Sequence, residues 1–82
     1  MLIKSVRGFH PEYGDSCFIA DNATLIGDVI MGEDCCVWFK AVIRGDVNSI
    51  RIGDRVNVQD GVEISDTCEK SHTAIGDEES IG

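Results

Sequence analysis

The side chains able to do chemistry are few and scattered: two histidines, His10 and His72, four cysteines, Cys17, Cys35, Cys36 and Cys68, and a polar series of Arg44, Asp46, Gln59, Asp60 and Ser65. Imidazole and thiolate are metal ligands or general bases, and a guanidinium beside a carboxylate makes an ion pair. Spacing limits these options. Cys35 and Cys36 are adjacent, so on a strand they point to opposite faces and do not both reach one tetrahedral zinc. No Cys-x-x-Cys pair, Gly-rich phosphate loop, Gly-x-Ser-x-Gly elbow or His-Glu-x-x-His motif occurs, which leaves nucleotide-binding and common hydrolase readings without support. His10 adjoins the only proline, Pro11, and reads as a solvated loop residue.

Fifteen acidic against seven basic residues give a net charge of -8, which repels phosphate backbones and anionic lipid. The expectation is no nucleic-acid partner and no membrane. No cationic start followed by an apolar run marks a signal peptide, and no apolar stretch approaches the roughly 20 residues that span a bilayer, so the chain reads as cytoplasmic with reduced thiols. A domain of 82 residues buries only about 60% of its unfolded surface and needs a further stabiliser.

A repeat supplies it. Aliphatic residues recur every six positions at Ile19, Leu25, Met31, Val37 and Ile43, resume in phase at Ile52, Val58 and Ile64, and again at Ile75 and Ile81. A second small or apolar residue follows four positions later at Ala23, Val29, Cys35, Ala41, Val47, Val56, Val62 and Cys68. Turn-formers such as Asn22, Gly27, Asp34, Gly45, Asp54, Gly61 and Gly76 lie between. A period of six is neither helical nor a long alternating strand; it is a chain that makes a short strand, turns a corner and repeats. Three such hexads close one triangular coil, and parallel stacking of coils pairs each backbone with its neighbours. The fold class predicted is an all-β parallel β-helix of about three coils. Residues 1–17 form a lead-in strand and cap, 18–82 the repeats, in a single domain with no C-terminal helix. The longer steps from Ile43 to Ile52 and from Ile64 to Ile75 are loop insertions.

The repeat phase also places the polar series. Arg44, Gln59 and Ser65 each follow an inward aliphatic and so face outward, with Arg44 and Ser65 on the same face of adjacent coils. Trp38 and Phe39 follow inward Val37 and read as exposed aromatics, suited to a subunit interface. Glu79 falls where the repeat calls for an apolar residue, and an inward carboxylate there carries a desolvation cost.

The stretch from Phe18 to Ile64, with Val42-Ile43-Arg44-Gly45-Asp46-Val47, Ile52-Gly53-Asp54 and Asn57-Val58-Gln59-Asp60-Gly61 at its centre, closely resembles the gamma-class carbonic anhydrase-like family of hexapeptide-repeat proteins. The resemblance implies a left-handed helix, a trimer, and zinc or a related metal held between subunits by three histidines, whose bound water hydrates carbon dioxide. It implies that Arg44 and Asp46 form an inter-subunit salt bridge and that Gln59 lies beside the metal water, a catalytic position. A solvated ion pair and an ordinary corner residue are the plainer readings of the same residues. Ser65 stands where the family places its first histidine ligand, and its hydroxyl is a poorer zinc ligand than imidazole. The sequence ends ahead of the segment in which the family carries its other two histidines. His72, in the second insertion, is the remaining candidate ligand, or else a solvated loop histidine.

Three functions therefore stand at this stage: a gamma carbonic anhydrase-like protein, truncated and without an intact metal site; an inactive structural or oligomerisation module; and a hexapeptide-repeat acyltransferase, for which His72 would be the base.

Overall fold

The computed structural model describes residues 1–65 and 73–82, so His72 and Cys68 lie outside the described residues. Among the described residues the elements are nine strands: β1 (Leu2–Lys4), β2 (Phe18–Ile19), β3 (Thr24–Met31), β4 (Cys36–Val37), β5 (Val42–Ile52), β6 (Asn57–Val58), β7 (Glu63–Ser65), β8 (Thr73–Ile75) and β9 (Ser80–Ile81). Every pairing between them is parallel, and no helix occurs among the described residues. The chain is a parallel β-solenoid of about three turns.

Three stacked faces follow from the six-residue period. On the first, β2, β4, β6 and β9 pair in that order, which puts Ile19 over Val37, Val58 and Ile81. On the second, β1, β3, β5 and β7 align Ile3, Leu25, Ile43 and Ile64. The third uses the far ends of β3 and β5 with β8, and aligns Met31, Ile52 and Ile75. Each aliphatic position of the sequence pattern is therefore a layer of the core. Ile75 and Ile81 are half-buried, whereas Leu25, Val37, Ile43 and Val58 are sealed completely.

The corners repeat as regularly as the strands. At the turn leading into the first face, Asp34, Arg55 and Glu78 all adopt positive φ, 58°, 55° and 60°. Side chains tie these turns to one another. Asp54 Oδ1 accepts the Glu33 N–H at 2.9 Å, and Asp77 Oδ1 accepts the Asp54 N–H at 2.8 Å. At the next corner Asn22 Oδ1 accepts the Lys40 N–H at 2.9 Å. A carboxylate or amide oxygen thus replaces the strand ladder where the backbone bends away. Gly27, at φ 73°, faces the Gly45 carbonyl so closely that a Cβ would come within 2.5 Å of it.

The first insertion is positioned differently from the sequence reading. Val29 pairs with Ile50, not with Val47, because the register shifts after Gly27 and a bulge of Asp46–Ser49 faces Asp28 alone. Ile50 is completely buried and Val47 only half-buried. The longer Ile50 fills the core layer, and the three extra residues are pushed outward before it. Glu79 is exposed, so its carboxylate escapes the desolvation cost, while Ser80–Ile81 still pair with β6.

Ile43 lies at the middle of the stacked core. Ile43→Ala should lower stability by about 2–5 kcal/mol in urea unfolding, whereas Ser65→Ala, on the exposed side of the next coil, should change it by less than about 0.5 kcal/mol.

Candidate functional site

The second face carries an outward row of Lys4, Ile26, Arg44 and Ser65, one residue from each coil, in direct register. Arg44 and Ser65 are neighbours on adjacent strands, as the repeat phase requires. Beside them, Glu63 occupies the corresponding row with Val42.

Arg44 is the hub of this surface. Its Nη2 donates to Asp46 Oδ2 at 2.8 Å and its Nη1 to Glu63 Oε2 at 3.4 Å. Arg44 and Asp46 therefore pair within one chain, two residues apart, where β5 enters its bulge. The bulge is braced from the lead-in segment, since Arg7 Nη2 donates to the Val47 carbonyl at 2.8 Å. Asn48, within the same bulge, is buried, and its Nδ2 has no hydrogen-bond partner among the described residues.

The Arg44 hydrogen bond, chiefly, holds the Asp46 carboxyl below the usual carboxylate range, against a smaller opposing effect of burial. The same bond to Asp46, reinforced by Glu63, raises the Arg44 guanidinium further. The ionised pair is therefore the resting state at every pH at which a protein normally works.

Gln59 lies elsewhere. It follows Val58 on the first face, is exposed, and donates from Nε2 to Ser80 Oγ at 2.9 Å on the next coil. Its hydrogen bond runs along that face, and Arg44 directs its side-chain bonds to Asp46 and Glu63. Directly above Gln59 in the stack is Trp38, which is half-buried. Its ring meets Phe18 at 5.1 Å between centroids, and Phe18 meets Phe39 edge-on at 6.5 Å. Phe18 and Phe39 are 43% and 46% exposed, so the aromatic patch remains open to solvent.

Two participants were missed from the sequence, Glu63 and Phe18. Both signals were present, because each residue precedes an inward isoleucine, Ile64 and Ile19, and therefore faces outward.

Among the described residues the donor set does not suit a zinc ion, and the candidate ligand His72 lies outside them. No group of three or more His, Cys, Asp or Glu side chains converges among the described residues. At the Ser65 position the nearest strand offers a guanidinium, which repels a cation, and the hydroxyl is a weak ligand. The described histidine, His10, is in the lead-in segment, with Nδ1 2.8 Å from Ser5 Oγ. Among the described residues no helix is long and apolar enough to cross a membrane.

The Arg44–Asp46 pair makes a prediction with a definite sign. A carboxyl held low in the folded state stabilises the fold above the ordinary carboxylate pKa, and loses that effect as pH falls through the lowered value. Asp46→Asn should therefore be slightly less stable than the parent above about pH 5, and the difference should shrink as pH falls below the ordinary carboxylate pKa of about 4. Thermal melts of both proteins across that range measure it.

Comparison with known proteins places these features in context. A family model described as bacterial transferase hexapeptide (six repeats) matches residues 14–45. "Uncharacterized transferase YtoA" of Bacillus subtilis is 51% identical over 59 residues, 72% of this chain and 34% of that protein. "Probable carbonic anhydrase" of Methanocaldococcus jannaschii is 48% identical over 83 aligned positions, covering 100% of this chain and 44% of its own length. A solved structure of a hexapeptide transferase family protein from Anaplasma phagocytophilum superposes with a TM-score of 0.91 at 34% identity, over 99% of this chain and 46% of that one. The chain spans less than half the length of each of these relatives. Repeat, superposition and identity agree that this chain is a hexapeptide-repeat β-solenoid protein, homologous to the gamma carbonic anhydrase-like proteins.

Proposed function

We propose that this chain is a gamma carbonic anhydrase-like assembly subunit, whose described surface joins copies of the chain, as a trimer, rather than holding a metal. The observation that carries the reading is the Phe18, Trp38 and Phe39 patch, a contiguous aromatic surface on the outside of a solenoid whose core is already closed. Clustered exposed aromatics mark contact surfaces, and a second copy brings the same patch. The ionic group of Arg44, Asp46 and Glu63 is the polar complement, able to exchange partners across an interface without leaving a charge unpaired.

Carbon dioxide hydration, the activity in the name of the archaeal relative, needs a metal-bound water in that class of enzyme. The described residues do not form its ligand set, and no catalytic step is assigned to Gln59 or Ser65 through a metal. Acyl transfer is a second reading, favoured by the transferase names of the family model and of the structural neighbour. It would require a histidine base; His10 is engaged with Ser5.

Native mass spectrometry of protein purified without chelator, paired with a stopped-flow hydration assay, tests the proposal. The expected result is a trimer without stoichiometric metal and hydration no faster than buffer. Phe39→Asp should shift the mass towards monomer while the circular dichroism of the β-solenoid stays unchanged. A parent protein that remains monomeric at micromolar concentration would overturn the assembly reading. One zinc per chain with zinc-dependent turnover would restore the hydratase, and saturable acetyl-CoA binding would favour the transferase.

A further inference from the structure

Phe18 and Ile19 pair in parallel register with Cys36 and Val37, and the Phe18 N–H donates to the Cys35 carbonyl at 2.8 Å. Cys17 therefore sits directly over Cys35, one coil apart. Neighbouring parallel strands are about 4.8 Å apart, inside the roughly 4.4–6.8 Å Cα separation that a disulfide spans. The two side chains also point the same way. Cys17 Sγ donates to the Gly32 carbonyl and Cys35 Sγ to the Gly53 carbonyl, each at 3.1 Å, and Gly32 and Gly53 are equivalent corner positions of successive coils. Both are free thiols.

We propose that Cys17 and Cys35 form a reversible thiol oxidation site, in which a hydroperoxide converts the stacked pair into a disulfide joining the first coil to the second. The two thiols differ in access. Cys17 is partly exposed and open to a small oxidant, whereas Cys35 is buried, and that burial pushes its thiol up and keeps it protonated. Attack thus begins at Cys17. Its sulfur takes the terminal peroxide oxygen, the O–O bond breaks, and an alcohol or water leaves, giving a sulfenic acid. Cys35 sulfur then attacks Cys17 sulfur; the S–S bond forms, the S–O bond breaks and water departs with the Cys35 proton. Two thiols have lost two electrons and two protons, and the peroxide has been reduced. Cys36 is poorly placed to compete with Cys35, because it is the next residue, at the start of β4, and projects from the opposite side, half-buried where Cys35 is fully buried.

The site is read by treating the full chain with a small excess of hydrogen peroxide, blocking residual thiols, and mapping peptides by mass spectrometry. The expected product is lighter by about 2 Da, carries a single Cys17–Cys35 link within one chain, and reverts with dithiothreitol. Cys36→Ser should retain the link and Cys17→Ser should abolish it, leaving Cys35 as a free thiol. A Cys17 that climbs to sulfinic or sulfonic acid without a link would overturn the proposal. So would a link whose partner is Cys36 or Cys68, or one between chains. The parent protein alone separates these outcomes, so no variant has to fold for the test to decide.

Discussion

The constraint on which the rest of the structure depends is that each coil must satisfy its backbone on the coils above and below. A strand of two or three residues has no stability of its own, and β2, β4, β6 and β9 are two residues each. They persist because N–H groups find carbonyls one coil away, as in Ala20 to Val37, Trp38 to Val58 and Gln59 to Ile81. That ladder forces the same residue class onto the same position in every turn. Aliphatic side chains stack inside, turn-formers stack at corners, and even the strained left-handed residues Asp34, Arg55 and Glu78 are held one above another. The corner oxygens of Asp54, Asp77 and Asn22 extend the ladder through the bends, so that the corners add to the stack rather than interrupting it.

An insertion in such a stack has to leave the ladder and rejoin it in register. The bulge of Asp46–Ser49 does so at one corner, between the Gly27–Gly45 contact and the Val29–Ile50 pair. What leaves the ladder becomes available for other purposes. Asp46 turns back to Arg44, Val47 offers its carbonyl to Arg7, and Arg51 on the far side reaches Asp28 at 2.9 Å. Among the described residues the buried Nδ2 of Asn48 meets no acceptor, and a buried amide donor without one is a cost of the excursion. The polar chemistry of this molecule is therefore concentrated where the repeat is broken, beside strands that remain regular.

This division explains what could be read from the sequence. The period was legible because ten aliphatic positions repeat one template, and the structure stacks them as the phase requires. The outward neighbours Arg44 and Ser65 were legible for the same reason. The phase inside the insertion was not: Val47 satisfies the spacing and Ile50 does not, yet Ile50 fills the core because the bulge precedes it rather than follows it. A pattern counts residues and does not say where surplus ones are expelled. Partner identity was also hidden, since the aromatic and ionic groups gather residues from different coils: Phe18 with Trp38, and Arg44 with Glu63.

The same geometry decides how a β-solenoid can build a site at all. Its outer faces are ladders of side chains on a nearly flat sheet, and a flat sheet gives a substrate only one wall. On the second face that wall is Lys4, Ile26, Arg44 and Ser65, with Glu63 alongside. Concavity requires a second surface brought against the first, and the proposed assembly would bring one to the pair of Arg44 and Asp46. A lone guanidinium covered by another subunit would have its solvation stripped with nothing to compensate. Paired beforehand within its own chain, it would enter the proposed interface with its charge already balanced, and its bond to Asp46 would strengthen as water was excluded. In the proposed assembly the ion pair that organises one chain's surface would also be what permits that surface to be buried.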